Sequence, residues 1–134
     1  MNKELFTAAC QLMTEDDHFC RMVGVELMAC DISYAKVKLQ LRDDHINAQG
    51  ITHGGAIFTL MDMAAGVAMR NSGKVGVTLS TNITYLRPSS IGGTLYAEAT
   101  LLNETRRINT FDVKLRNEEG TLLAVSQAMM YKKD

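Results

Sequence analysis

From Ala56 to Met69 the chain is almost continuously apolar, broken only by Thr59 and Asp62. Its length and the signals at its ends predict one long helix from Gly54 to about Asn71, stopped by Asn71-Ser72-Gly73. A surface helix shows a polar face, and this one has none. It is also too short to cross a bilayer. Such a helix has to be wrapped by the rest of the fold, and a second chain is a candidate cover for any side left open. Asp62 then stands out, because an ionised carboxylate without a partner in apolar surroundings costs several kcal/mol. It needs an ion partner, water or a chemical role, and a capped or paired structural Asp is the plain alternative.

The segments around this helix read as strands. Tyr34 to Arg42 alternates Ala35, Val37, Leu39 and Leu41 against Lys36, Lys38, Gln40 and Arg42, which is the pattern of a half-buried strand. Gly24 to Ile32 precedes it as another, after a short amphipathic helix from Lys3 to about Thr14. Asp43 to Thr52 reads as loop. Beyond the long helix, four β-rich stretches follow: Val75 to Leu86, Thr94 to Leu102, Ile108 to Arg116 and Thr121 to Tyr131. Connections this short, with no helix between them, favour antiparallel pairing. The expected architecture is therefore α+β: a curved antiparallel β-sheet wrapped around one long central helix, in a single domain spanning 1–134.

Composition removes several function classes. The chain has 134 residues, is 46% hydrophobic and carries a net charge of −1, with no basic run beyond Arg106-Arg107 or Lys132-Lys133. That charge gives no broad footprint for nucleic acid or for a membrane surface. The start Met1-Asn2-Lys3-Glu4 carries an acid where a secretion signal has only bases, so a cytoplasmic protein is expected. Cys10, Cys20 and Cys30 are odd in number and show no metal-ligand spacing, and neither do His18, His45 and His53. No metal is expected.

Two segments carry a family resemblance. Asn47-Ala-Gln-Gly50-Ile-Thr-His53-Gly54-Gly55, continued by Ala56 to Ala64 with Asp62 inside it, resembles the signature of hotdog-fold acyl-CoA thioesterases of the phenylacetate-pathway (PaaI-like) type. Gly76 to Pro88, ending Tyr85-Leu86-Arg87-Pro88, resembles that family's strand after the helix. The resemblance implies the hotdog fold, hydrolysis of an acyl-CoA thioester, sites shared across a dimer and commonly a dimer of dimers. Among substrates it suggests an aromatic acyl group such as hydroxyphenylacetyl, with medium-chain acyl-CoA a close competitor.

Thioester hydrolysis needs a polarised carbonyl, an activated water or nucleophile, and a pocket for the acyl group. Gly54 opens the helix, where backbone N–H groups lack intrahelical partners and the dipole end is positive, and Gly55 is a second candidate donor. Glycine lets a substrate approach the backbone with no Cβ in the way. Asp62 is the candidate general base or direct nucleophile, and the sequence leaves both open. Desolvation should raise its pKa. His53 would orient the loop or bond near the thioester. Asn47 would position the water or the carbonyl, or simply close an Asx turn. Thr78 matches a family position that places a hydroxyl near the carboxylate, and is otherwise an ordinary strand residue.

Spacing adds a constraint. Asp62 lies eight residues beyond Gly54, or ~12 Å along a helix at 1.5 Å per residue, and its short side chain recovers only a few Å. Attack needs reacting atoms roughly 3–3.5 Å apart. If both groups act on one thioester they come from different copies of the helix, which predicts an obligate homodimer. Phe58, Met61, Ile46 and Ile51 are the expected acyl-pocket wall, and Arg87 and Arg106 the candidates for the coenzyme A phosphates. No cofactor is expected, since coenzyme A belongs to the substrate. The alternatives are a non-catalytic acyl-CoA-binding module and a hotdog dehydratase or hydratase. The latter would need a His placed with an acid on the helix, and the helix after Gly55 contains no His.

Overall fold

The computed structural model describes residues 1–90 and 92–133. In chain order it forms α1 (Lys3–Gln11), a π-helical turn (Leu12–Asp16), α2 (His18–Val23), β1 (Val25–Asp31), β2 (Tyr34–Gln40), a 3-10 turn (Asp43–His45), α3 (Gly54–Arg70), β3 (Gly76–Tyr85), β4 (Thr94–Glu104), β5 (Ile108–Arg116) and β6 (Leu122–Lys132). The strands make one sheet in the order β1-β2-β4-β5-β6-β3. Every pairing is antiparallel.

The alternation of β2 becomes a buried inner face of Ala35, Val37 and Leu39, continued by Leu95, Ala97 and Ala99 on β4 and by Phe111, Val113 and Leu115 on β5. Against it lie Leu60, Ala64, Ala65 and Ala68 of α3, all fully buried. Alanines on both surfaces let helix and sheet approach closely, and the larger side chains fill the space between them at interior density. Each fully buried Leu or Phe contributes roughly 1.5–3 kcal/mol over its exposed form.

Three features depart from the pattern read in the sequence. The N-terminal segment does not end near Thr14; it turns through the π-helical residues into α2. There the Asp17 carboxylate accepts the Cys20 N–H at 2.9 Å, and Gly24 closes the helix at φ 98°. The long helix is not covered all round: Gly55, Phe58, Gly66 and Arg70 are exposed, with Thr59, Asp62 and Met63 half-buried beside them. At helical spacing these residues form one uncovered stripe, and the helix's one acidic residue lies on it. Finally, β3 is an edge strand nearly without buried side chains, and its pairing with β6 slips between Thr78 and Ser80, leaving Leu79 as an extra residue.

That bulge matters for the site. Thr78 pairs with Met130, whereas beyond the bulge Thr81 pairs with Ala128 and Tyr85 with Ala124. Met130, Ala128 and Ala124 all belong to the core face. Thr78 and Tyr85, an odd number of residues apart, therefore both face α3. A regular strand would have put them on opposite faces.

Candidate active site

His53 caps the N-terminus of α3. Its backbone is extended (φ −63°, ψ 134°), and its Nδ1 accepts the Gly55 N–H at 2.8 Å while its carbonyl accepts the Ala56 N–H at 3.0 Å. An accepting Nδ1 makes the ring the Nε2–H tautomer. Gly55 therefore has no N–H left for a substrate, and the donor pair weighed from the sequence reduces to Gly54. The Gly54 N–H has no partner among the described residues. On its other side, the Tyr85 hydroxyl donates to the Gly54 carbonyl at 3.1 Å. A Cβ on Gly54 would sit 3.3 Å from that hydroxyl, tighter than ordinary contact.

The loop before the helix is closed by Asn47. Its Oδ1 accepts the Gln49 N–H at 2.9 Å and the Ile51 N–H at 3.3 Å, and its own N–H donates to the Ile51 carbonyl at 2.8 Å. This is an Asx turn that occupies the oxygen, so only the side-chain amide hydrogens remain for other work. His45 ties the loop to the body of the protein: it is buried, accepts the Arg42 N–H on Nδ1 at 3.1 Å, and its Nε2 lies 2.7 Å from the Val23 carbonyl. Asn47, Gly54, Gly55, Tyr85 and Arg87 line one cleft of about 480 Å³ together with the apolar Ile51, Ile57 and Leu86. Its size falls in the range of small-molecule sites. The Arg87 guanidinium donates to the Leu122 carbonyl at 2.7 Å, which ties it to the neighbouring strand.

Asp62 lines a different cleft, of about 250 Å³, with Thr78, Asp17, Leu12, Met63 and Arg70. Burial pushes the Asp62 carboxyl above its ordinary range, and the nearby Asp17 carboxylate adds to the effect. The two clefts share no lining residue. A donor half and a carboxylate half thus sit on one helix, separated along it by ~12 Å at 1.5 Å per residue.

Other expected residues fall elsewhere. Phe58 is exposed on the open stripe of α3, outside both clefts. Met61 lies in the chain's own core, 2% exposed, because its position on the helix turns it toward the sheet; it forms no part of either cleft wall. Arg106 is exposed in the turn between β4 and β5. That turn adjoins the start of β3, since Ile108 and Val77 both pair with Tyr131, so Arg106 is at the opposite end of the strand from Tyr85 and Arg87. Sequence reasoning passed over two residues, Tyr85 and Asp17. Tyr85 was visible only as part of the Tyr85-Leu86-Arg87-Pro88 run, and Asp17 only as the end of the acidic run Glu15-Asp16-Asp17.

A six-stranded antiparallel sheet packed on one long helix, with an open glycine N–H at the helix start and a carboxylate two turns on, defines a hotdog-fold protein. The thioesterase superfamily model matches residues 49–124, more than half of the chain, a span that includes Gly54, Asp62, Thr78 and Tyr85. The chain belongs to that superfamily and is a PaaI-like hotdog thioesterase, a thioester hydrolase. It is 26% identical to the acyl-coenzyme A thioesterase PaaI of Escherichia coli, over 84% of this chain and 81% of that one. It is 29% identical to human acyl-coenzyme A thioesterase 13, over 84% and 83% of the two chains. The structure of the Escherichia coli PaaI protein superposes with a TM-score of 0.91 at 23% identity, covering 98% of this chain and 95% of that one, which shows the shared fold. A hypothetical thioesterase from Streptococcus pneumoniae, solved with coenzyme A, superposes at 0.83 with 25% identity, covering 90% and 96%.

Proposed function

We propose that this protein hydrolyses acyl-CoA thioesters at sites assembled from two copies of the chain, the Gly54 N–H of one polarising the carbonyl and the partner's Asp62 driving the attack. One observation carries this reading: the Gly54 N–H, without a partner among the described residues, and the desolvated Asp62 border separate clefts that a single helix holds too far apart to meet. The exposed stripe of α3 and the unpaired outer edge of β3 supply a surface for the second copy. Val77 and Leu79 on that strand are both largely exposed, and an edge of this length with apolar side chains is a template for pairing. Further pairing of dimers would cover Met129 and Tyr131, which lie partly exposed on the outer face of the sheet.

In this mechanism the carbonyl oxygen gains negative charge at the helix N-terminus, where the free N–H and the dipole favour it. Asp62 takes a proton from water, whose oxygen attacks the acyl carbon, or attacks it directly to give an anhydride that water then opens. Either way the C–S bond breaks, the thiolate receives a proton, and acid and free coenzyme A leave. Thr78 offers a hydroxyl beside the carboxylate, and the Asn47 amide hydrogens offer donors to water or carbonyl. His53 acts by holding Gly55. Ile51, Ile57, Leu86 and the Tyr85 ring give an apolar wall suited to an aromatic or medium-chain acyl group, to which Phe58 of the open stripe adds on assembly. Arg87 is the phosphate contact nearest that wall. The reaction needs no group beyond the coenzyme A carried by the substrate. Buried free thiols at Cys20 and Cys30 suit a reducing cytoplasm.

The test is a steady-state screen of acyl-CoA esters of varied length and aromaticity, read as free thiol released, beside sedimentation of the protein at micromolar concentration. Turnover by a dimer or tetramer is expected. No turnover across the panel would move the assignment to acyl-CoA binding alone, and an active monomer would overturn the shared site.

A further inference from the structure

The Gly54–Gly55 peptide is held at both of its polar ends by side chains. Its N–H is taken by His53 Nδ1 at 2.8 Å, and its carbonyl by the Tyr85 hydroxyl at 3.1 Å. The preceding peptide is anchored through the His53 carbonyl, which accepts the Ala56 N–H at 3.0 Å. The Gly54 N–H belongs to this preceding peptide and has no partner among the described residues. A glycine has the widest backbone freedom of any residue, so an unpinned Gly54 would spread that N–H over many directions. Preorganised donors are effective because they cost no reorganisation as charge develops.

We propose that Tyr85 is a positioning residue for thioester hydrolysis, its hydroxyl clamping the Gly54–Gly55 peptide against His53 so that the Gly54 N–H stays aimed at the thioester carbonyl. The β3 bulge at Leu79 is part of the device. Without it the strand could not turn Thr78 toward the Asp62 cleft and Tyr85 toward the helix start at once. Glycine at position 54 completes it, since any Cβ would press on the Tyr85 hydroxyl and ring at 3.3 and 3.4 Å. The clamp lies within one chain and links the strand bordering the proposed dimer edge to the donor. It rests on the acyl-CoA thioesterase reading above.

The experiment is Tyr85→Phe, which keeps the ring and removes only the hydroxyl. One net hydrogen bond corresponds to a loss of about 3- to 10-fold in kcat, with KM nearly unchanged because the donor acts chiefly on the transition state. Hydrogen exchange at the Gly55 amide, followed by NMR in the substrate-free protein, should quicken in the same variant. Combining Tyr85→Phe with His53→Ala should cost less than the sum of the single losses, since both changes release one peptide. A change in KM alone, graded with the acyl group, would make Tyr85 only a pocket wall and overturn the clamp. Unaltered kcat and Gly55 exchange would overturn it as well. If the wild-type protein turns over no acyl-CoA, the thioesterase reading fails, while Gly55 exchange still reports on whether the hydroxyl holds the peptide.

Discussion

Replacing Asp62 by Asn should damage activity and improve stability at the same time. The carboxylate is half-buried on the open stripe of α3, in a small cleft with Asp17, and its pKa is raised first by lost hydration and then by that neighbour. Asn keeps the size and polarity of the side chain but can neither accept a proton from water nor attack an acyl carbon. General base catalysis of this kind is worth about 10²–10⁴ in rate, or roughly 3–5 kcal/mol of barrier. The folded-state pKa lies above the unfolded one, so the chain's preference for protonated Asp62 is fully present below the unfolded pKa. It is lost as pH rises through the folded value, and at neutral pH ionised Asp62 costs stability. Asp62→Asn should therefore unfold at a higher temperature than wild type at neutral pH, with the difference vanishing in acid. The assays are thiol release from acyl-CoA and thermal unfolding across pH. Undiminished turnover in the folded variant would refute the catalytic role, and a lower Tm at neutral pH would refute the desolvation reasoning.

Asp17→Asn should keep the α2 cap, because Asn accepts the Cys20 N–H as well as Asp does. It removes a charge facing Asp62, so the acid limb of kcat should move to lower pH, and an unmoved limb would separate the two carboxylates. Leu79→Lys places a charge on the exposed edge strand, and a single edge lysine is a device that blocks strand pairing. Sedimentation should show a monomer with activity lost; an intact dimer would put the second copy elsewhere. Phe111→Ala empties part of the core from a fully buried position and should cost about 3–5 kcal/mol in denaturant unfolding. A loss below 1 kcal/mol would mean that the sheet collapses onto the gap.

The sequence made the scaffold legible because two periodicities were kept cleanly. The alternation of β2 and the apolar run of α3 are local signals, and both elements form within a residue or two of their expected ends. The Gly54 and Asp62 separation was legible for the same reason, since helix rise converts spacing into distance. What was hidden depends on interruptions of a period. The extra residue at Leu79 reverses which side chains of β3 face the core, so Tyr85 could not be placed beside Gly54 by counting. Met61 was misplaced because a helix without a polar stripe gives no phase from which to tell core from cleft. That Gly55 spends its N–H on His53 depends on one side-chain rotamer, and that Asp17 faces Asp62 depends on a π-helical turn; neither leaves a mark in composition.

The central claim is that each site takes its donor from one chain and its carboxylate from another. Mixing Asp62→Asn protein with Gly54→Val protein, each inactive alone, under conditions that exchange subunits tests it directly. In a two-fold symmetric dimer, a mixed pair holds one site with both groups intact and one with neither. Random exchange of equal amounts should then restore about a quarter of wild-type thioesterase activity, since half the dimers are mixed and half their sites are whole. No recovery despite demonstrated subunit exchange would contradict the shared site and place both groups' action within a single chain.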